Sequence, residues 1–250
     1  MRSKLVKMMT RFSSLITPGH IAMTAAGQQF RLKCMEHVLN SPGSVVADVA
    51  GGKTWHLPAA LKEATGVTLV GLDIDAAELA ENNMIDHKIV ADACDRIPTD
   101  FGKYSVITVR AGIEHFHDNA RFLLNAFGAL EPGGVLIALF PNKFAPFALI
   151  NQALPHKLSK FLLQKLTRGG EEGVLGFRAH YDRTSYRSFS KIARDAGFEI
   201  EFCYPSFFSS AYFRAIPPIY IISLLFDYLR FFLGIRSLAS YYCFVLRSSA

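Results

Sequence analysis

Apolar residues along the chain fall into two patterns that take turns. Short unbroken apolar runs close Val45 to Thr54 at its front, then Val67 to Asp75, Lys88 to Ala91, Tyr104 to Val109 and VLIALF at Val135 to Phe140. Such runs suit strands buried on both faces of a parallel sheet. Between them lie helix-compatible stretches. These are His56 to Ala64, a segment opening at Asp75 as its N-cap, and the periodic Phe122, Leu123, Ala126, Phe127 and Leu130, closed by Glu131-Pro132-Gly133-Gly134. Thr24 to Leu39 precedes the first strand with helical composition and ends at the breaker Ser41-Pro42-Gly43. Strand and helix alternate, so an α/β fold with helices on both faces of the sheet is predicted.

The strand ends carry the polar residues. Val45 to Thr54 reads VVADVAGGKT, and Gly51-Gly52 allow a tight turn in which backbone lies close to a ligand. Asp73 follows those glycines by the roughly 20 residues at which an acidic side chain accepts hydrogen bonds from ribose hydroxyls. Asp92 ends the third strand. Its carboxylate suits an adenine amino group, with the adjoining Ala93 amide on a ring nitrogen.

Composition narrows the function classes. The chain has 250 residues, half of them apolar, with 21 phenylalanines and a formal net charge of +6. Its basic residues are scattered apart from Arg2, Lys4, Lys7 and Arg11, so nucleic-acid binding is not expected, whereas an anionic membrane surface stays open. Cys34, Cys94, Cys203 and Cys243 form no CxxC pair, which argues against a metal site or a disulfide framework. The basic N-terminus lacks the apolar core and cleavage site of a secretory signal, and a cytoplasmic location is expected.

ADVAGGKT, GLDID, VADA, IEHFHD, ALEPGGVLIALFPN and SKIARDAGFEIE resemble, in order and spacing, the class I S-adenosylmethionine-dependent methyltransferases of the broad small-molecule type. The resemblance covers roughly residues 44 to 203, after N-terminal helices in 1–43. It implies a Rossmann-like, doubly wound seven-stranded sheet in order 3-2-1-4-5-7-6, the last strand antiparallel, with Phe198 to Tyr204 and Tyr241 to Leu246 as the final two. It also implies S-adenosyl-L-methionine as cofactor, held by Asp48, Ala50, Gly51, Gly52, Asp73, Ile74, Asp92, Ala93 and Arg110. Two positions depart from the family's D-x-G-x-G-x-G motif: Ala50 and Thr54 replace its first and last glycines. Alanine adds only a methyl; threonine would crowd or hydrogen-bond the methionine moiety.

The implied activity is methyl transfer to a small, saccharide or lipid-linked acceptor, at oxygen. Positioning supplies much of such a displacement, so few catalytic residues are needed. A hydroxyl acceptor must lose a proton, and His115 and His180 are the candidate bases. The alternative is a non-catalytic relative that associates with a membrane surface or a protein partner.

Two insertions stand out, 141–184 and 205–240, both expected to form helical lids. The second contains Ile219 to Leu233, where only Ser223, Asp227 and Arg230 are neither aliphatic nor aromatic. Those two charges, and the return of the chain to a strand at Tyr241, argue against spanning a bilayer. A buried or homodimer-forming lid helix and an in-plane membrane contact remain as readings.

Overall fold

The structure is a computed structural model that describes residues 2–17, 26–154, 177–208, 213 and 216–249. Seven strands form one sheet: β1 (Val45–Val49), β2 (Thr68–Asp73), β3 (His87–Val90), β4 (Tyr104–Arg110), β5 (Leu130–Pro141), β6 (Phe198–Ser206) and β7 (Tyr241–Ser248). Their order is β3-β2-β1-β4-β5-β7-β6. β1 to β5 run parallel, with Val46 opposite Leu69 and Val106, while β7 lies antiparallel between β5 and β6. The expected topology is the observed one.

Alternation along each strand makes two cores. Ala47, Val70, Ile107, Leu136 and Phe244 point to one face, where they meet Phe122 and Ala126 of α5 (Asn119–Ala129) and Phe189 of α7 (Tyr186–Asp195). Val46, Leu69, Val106, Ile137 and Val245 point to the other, against Phe30, Cys34 and Val38 of α2 (Ala26–Leu39) and Leu61 of α3 (Ala59–Thr65). A strand apolar at consecutive positions must be covered on both faces, and this one is. α4 (Ala76–Glu81) starts at Asp75, whose Oδ1 accepts from the backbone N–H of Ala77 and Glu78; Asp118 caps α5 in the same way.

Several boundaries differ from the sequence reading. α3 begins at Ala59 instead of His56, because extended Pro58 sits at its N-cap. β5 begins at Leu130, not Val135: Leu130 pairs with Tyr104 across a register shift, so the LEPGG segment is part of the strand. α1 spans Arg2–Leu15, and Thr24, the expected start of the helix before the first strand, lies outside the described residues, α2 beginning at Ala26. Of the first insertion, 155–176 lies outside them too, and α6 (Pro146–Ala153) is described.

The second insertion contains α8 (Pro217–Leu233), followed by a 3-10 turn at Arg236–Leu238. The charges that interrupt its apolar sequence face inward. Asp227 and Arg230 are 0% and 3% exposed and pair with each other. Arg230 also donates to Phe207 O at 2.9 Å, Leu238 O at 3.1 Å and Ser240 Oγ at 3.0 Å, which ties α8 to the end of β6 and the start of β7. α1 docks on the same helix through a hydrogen bond between Thr17 and Tyr220 hydroxyls and through Ile16, beside Phe208 and Leu224. Among the described residues, no helix is long and apolar enough to cross a membrane.

Candidate active site

The carboxyl ends of β1, β2, β3 and β4 bring the expected site residues to one edge, as in open parallel sheets generally. After β1 the backbone reverses through two left-handed residues, Ala50 (φ 54°) and Gly52 (φ 53°). Gly52 is held on both sides: its N–H donates to Asp73 Oδ2 at 3.0 Å, and its carbonyl accepts from Asn82 Nδ2 at 3.2 Å. Asp73 Oδ1 accepts from the Asp75 N–H at 2.9 Å. The acid at the tip of β2 therefore joins the glycine turn to the start of α4.

Ile74 beside it is 58% exposed, a large aliphatic surface left next to a buried carboxylate. Thr54 is exposed, so it does not plug the edge. A Cβ on residue 112 would lie 2.7 Å from the Ala50 Cβ and 3.0 Å from Val109 Cγ1, so the methyl of Ala50 fits because its neighbour is Gly112. The two strand-end loops interlock there, and Ala111 is left-handed as well (φ 54°).

Below the turn lies a buried polar pair. Asp48 Oδ1 accepts from Thr108 Oγ1 at 2.8 Å and stands 3.8 Å from His56 Nδ1. Burial lifts the Asp48 carboxyl to about 7, against the hydrogen bond from Thr108, and Asp73 adds to the rise. Burial pushes His56 the other way, to about 3, helped by the Arg110 and Arg31 charges. Both shifts disfavour the charged form, the usual effect of removing an ion from water. Asp48 Oδ2 has no hydrogen-bond partner among the described residues and lies 2.6 Å from where a Cβ on Gly51 would be. A glycine at 51 thus leaves the backbone against an acceptor still able to take a proton donor.

At β3 and β4 the edge is more open. Asp92 Oδ1 accepts from Cys94 N at 2.8 Å, and its Oδ2 lies 3.7 Å from His117 Nδ1. Asp92, Cys94 and His117 offer ligand atoms within 4.8 Å of one another, one ligand short of a closed tetrahedral metal set. Ala93 is buried and Arg110 is exposed at the tip of β4. Beyond it, His115 and His180 come together: the backbone N–H of His180 donates to Glu114 O at 2.8 Å, and His115 Nδ1 stands 3.1 Å from Arg178 O. A carbonyl only accepts, so Nδ1 carries the hydrogen and Nε2 the lone pair. Burial lowers the His115 pKa, partly offset by the Arg178 bond, and His180 lowers it further.

Sequence reasoning missed Glu114, which is 7% exposed and lifted to about 8 by burial, with Oε2 unpartnered among the described residues. It adjoins His115 in IEHFHD, a signal that was available. It also missed His56, Asn82 and Gly112, whose parts depend on contacts across loops. A cleft of about 560 Å³ lined by Lys62, Gly66, Thr68 and His87 lies at the amino ends of β2 and β3, away from this edge.

A family model described as a methyltransferase domain matches residues 26–201, most of the chain. The chain belongs to the class I S-adenosylmethionine-dependent methyltransferases. No curated protein matches it by sequence. Among solved structures it is similar to a geranyl diphosphate C-methyltransferase from Streptomyces coelicolor, solved with Mg2+, geranyl diphosphate and S-adenosyl-L-homocysteine (14% identity, 87% of this chain and 78% of that one, TM-score 0.56). It is also similar to the cyclopropane synthase MmaA2 from Mycobacterium tuberculosis (16% identity, 87% and 84%, TM-score 0.52). A third is an S-adenosylmethionine-dependent methyltransferase from Mesorhizobium loti (16% identity, 87% and 97%, TM-score 0.53). At these identities the likeness is one of fold. The methyltransferase uses S-adenosylmethionine, and the strand-end groups fit it: a carboxylate beside a glycine turn, an exposed aliphatic residue, and a buried acceptor without a partner.

Proposed function

We propose that this methyltransferase transfers a methyl group to an oxygen of a small, saccharide or lipid-linked acceptor. When bound, the cofactor supplies a methyl group already activated on a sulfonium. Asp73 accepts from the ribose hydroxyls and Ile74 covers the adenine. Asp92 and the Ala93 amide take its polar edge, while Ala50, Gly51 and Gly52 give the amino-acid portion close backbone approach. Asp48 lies beneath them as an acceptor, and Arg110 stands at the adjoining strand end.

The observation that carries the choice of oxygen is the state of His115. Its Nδ1 hydrogen is committed to Arg178 O, at 3.1 Å, and burial keeps the ring neutral, so Nε2 is left as a base. An acceptor hydroxyl needs such a group; an acceptor that is already anionic or a free amine does not. Arg178 belongs to the first insertion, so the segment that selects the acceptor also orients the base. His180, exposed beside it, is the second candidate.

The motif departures at Ala50 and Thr54 define a second reading, a non-catalytic module that keeps the sheet without binding the cofactor, although Thr54 is exposed and the Ala50 methyl is accommodated by Gly112. Calorimetry with S-adenosylhomocysteine separates the two, since absence of binding at millimolar ligand leaves only the module. Labelled cofactor with fractionated lipid and polysaccharide extracts then identifies the acceptor. His115→Ala is expected to lower kcat about 100-fold or more with an unchanged cofactor affinity. An unaltered kcat would remove the base from the mechanism.

A further inference from the structure

α8 is amphipathic in the reverse sense. Its inner stripe is Tyr220, Leu224, Asp227 and Arg230, at helical spacing, and contains the only two charged residues of the helix. Its outer stripe is Ile222, Leu225, Leu229 and Phe232, and these are 69%, 65%, 54% and 88% exposed. A surface helix in water places its charges outside. Here the polar work is done inward, by the Asp227–Arg230 pair and its bonds to Phe207, Leu238 and Ser240, while the outer face keeps no polar group that would resist leaving water. An apolar surface this continuous marks an interaction site.

The charge around it selects the partner. α1, which packs on α8, carries Arg2, Lys4, Lys7 and Arg11 and no acidic residue in its sequence. Across 205–240, once the buried Asp227–Arg230 pair is set aside, the sequence has two arginines, at 214 and 236, and no acid. We infer that the α8 face, with α1 beside it, docks in the plane of an anionic lipid surface, inserting the outer stripe between headgroups. A second copy fits less well, because a two-fold interface places the same patch against itself and would bring basic α1 helices together without acids to pair them. Spanning is excluded by the 17-residue length and by the bonds of Arg230 to Phe207 and Ser240, which hold α8 to the ends of β6 and β7. The inference concerns this surface and goes beyond the methyl-transfer reading, so it stands or falls independently of it.

Co-sedimentation of the full chain with vesicles tests it, comparing phosphatidylcholine alone with a phosphatidylcholine and phosphatidylglycerol mixture. The wild-type protein is expected to pellet with the anionic vesicles and to be released by salt. Ile222→Glu, Leu225→Glu and Phe232→Glu combined, all at exposed positions, should lower binding at least about tenfold, with a thermal melt confirming the fold. Lys4→Glu with Lys7→Glu should lower it by a similar factor, selectively for the anionic mixture. Wild-type protein that stays in the supernatant, or apolar variants that bind undiminished, would overturn the proposal. So would a dimer in sedimentation velocity that the three glutamates dissociate, since that outcome assigns the face to a second copy.

Discussion

The backbone N–H of Gly52 donates to Asp73 Oδ2 at 3.0 Å, so the acid expected to recognise ribose also fixes the turn that would cradle the rest of the cofactor. Asp73 Oδ1 is occupied in parallel by the Asp75 N–H at 2.9 Å. Asp73→Ala therefore removes a ligand contact and two loop anchors at once. S-adenosylhomocysteine affinity is expected to fall about 100-fold, since hydrogen bonds to a charged group contribute about 1.5–3 kcal/mol each. Asp73→Asn keeps one acceptor oxygen and should lose less. Calorimetry on both variants checks this, and equal affinities in Asp73→Ala and wild type would dissociate the acid from the cofactor.

Gly112 and Ala50 make a second, sharper test. A methyl on residue 112 would sit 2.7 Å from that of Ala50, so Gly112→Ala must displace one of the two loops. A loss of about 1–3 kcal/mol in stability is expected, with weaker cofactor binding. Ala50→Gly removes the opposing methyl and a left-handed alanine, which costs roughly 1 kcal/mol. The double variant should therefore recover most of the loss. Urea unfolding of the four proteins measures the coupling, and additive effects would show that the loops do not interlock.

What was legible in the sequence, and what was not, follows from the range of the interactions. Val45–Val49 and Thr68–Asp73 were readable because strands buried on both faces must be continuously apolar, and the Asp75 cap because capping is local. The start of β5 was not, since Pro132, Gly133 and Gly134 have turn composition and only pairing of Leu130 with Tyr104 makes the segment a strand. The apolar composition of α8 was visible, but composition does not say which stripe faces inward. That was decided by Arg230 finding carbonyls at Phe207 and Leu238, far apart in sequence. Likewise, nothing local placed His56 beside Asp48 or Gly112 against Ala50.

The buried pair in α8 predicts an asymmetry between breaking and replacing it. Asp227→Ala leaves the Arg230 guanidinium buried without its counter-charge and is expected to destabilise by about 3–5 kcal/mol. Asp227→Leu with Arg230→Met replaces both charges by apolar groups of similar size and should cost less than the single change. Thermal melts of both decide it. A single variant as stable as wild type would mean that α8 is held by its apolar inner stripe alone.

Glu114 gives the stability of the protein a pH dependence of known sign. Burial raises its pKa from the usual 4.5 to about 8, so the fold favours the protonated carboxyl. Its contribution is fully present below the unfolded value of 4.5 and is lost as pH rises through about 8, because the native state then binds more protons than the unfolded one. Asp48, raised from 3.8 to about 7, acts in the same direction over a lower window. His56, depressed from 6.5 to about 3, acts oppositely and only as pH falls below its unfolded value. Above about pH 6.5 His56 no longer opposes, so Glu114 and Asp48 act together up to about pH 7 and Glu114 alone from there to about 8, each by at most about 1.4 kcal/mol per pH unit. In that interval the melting temperature of the protein without cofactor should decline with rising pH. Glu114→Gln should flatten the decline, and parallel profiles for variant and wild type would show that the Glu114 carboxyl is ionised in the fold at neutral pH.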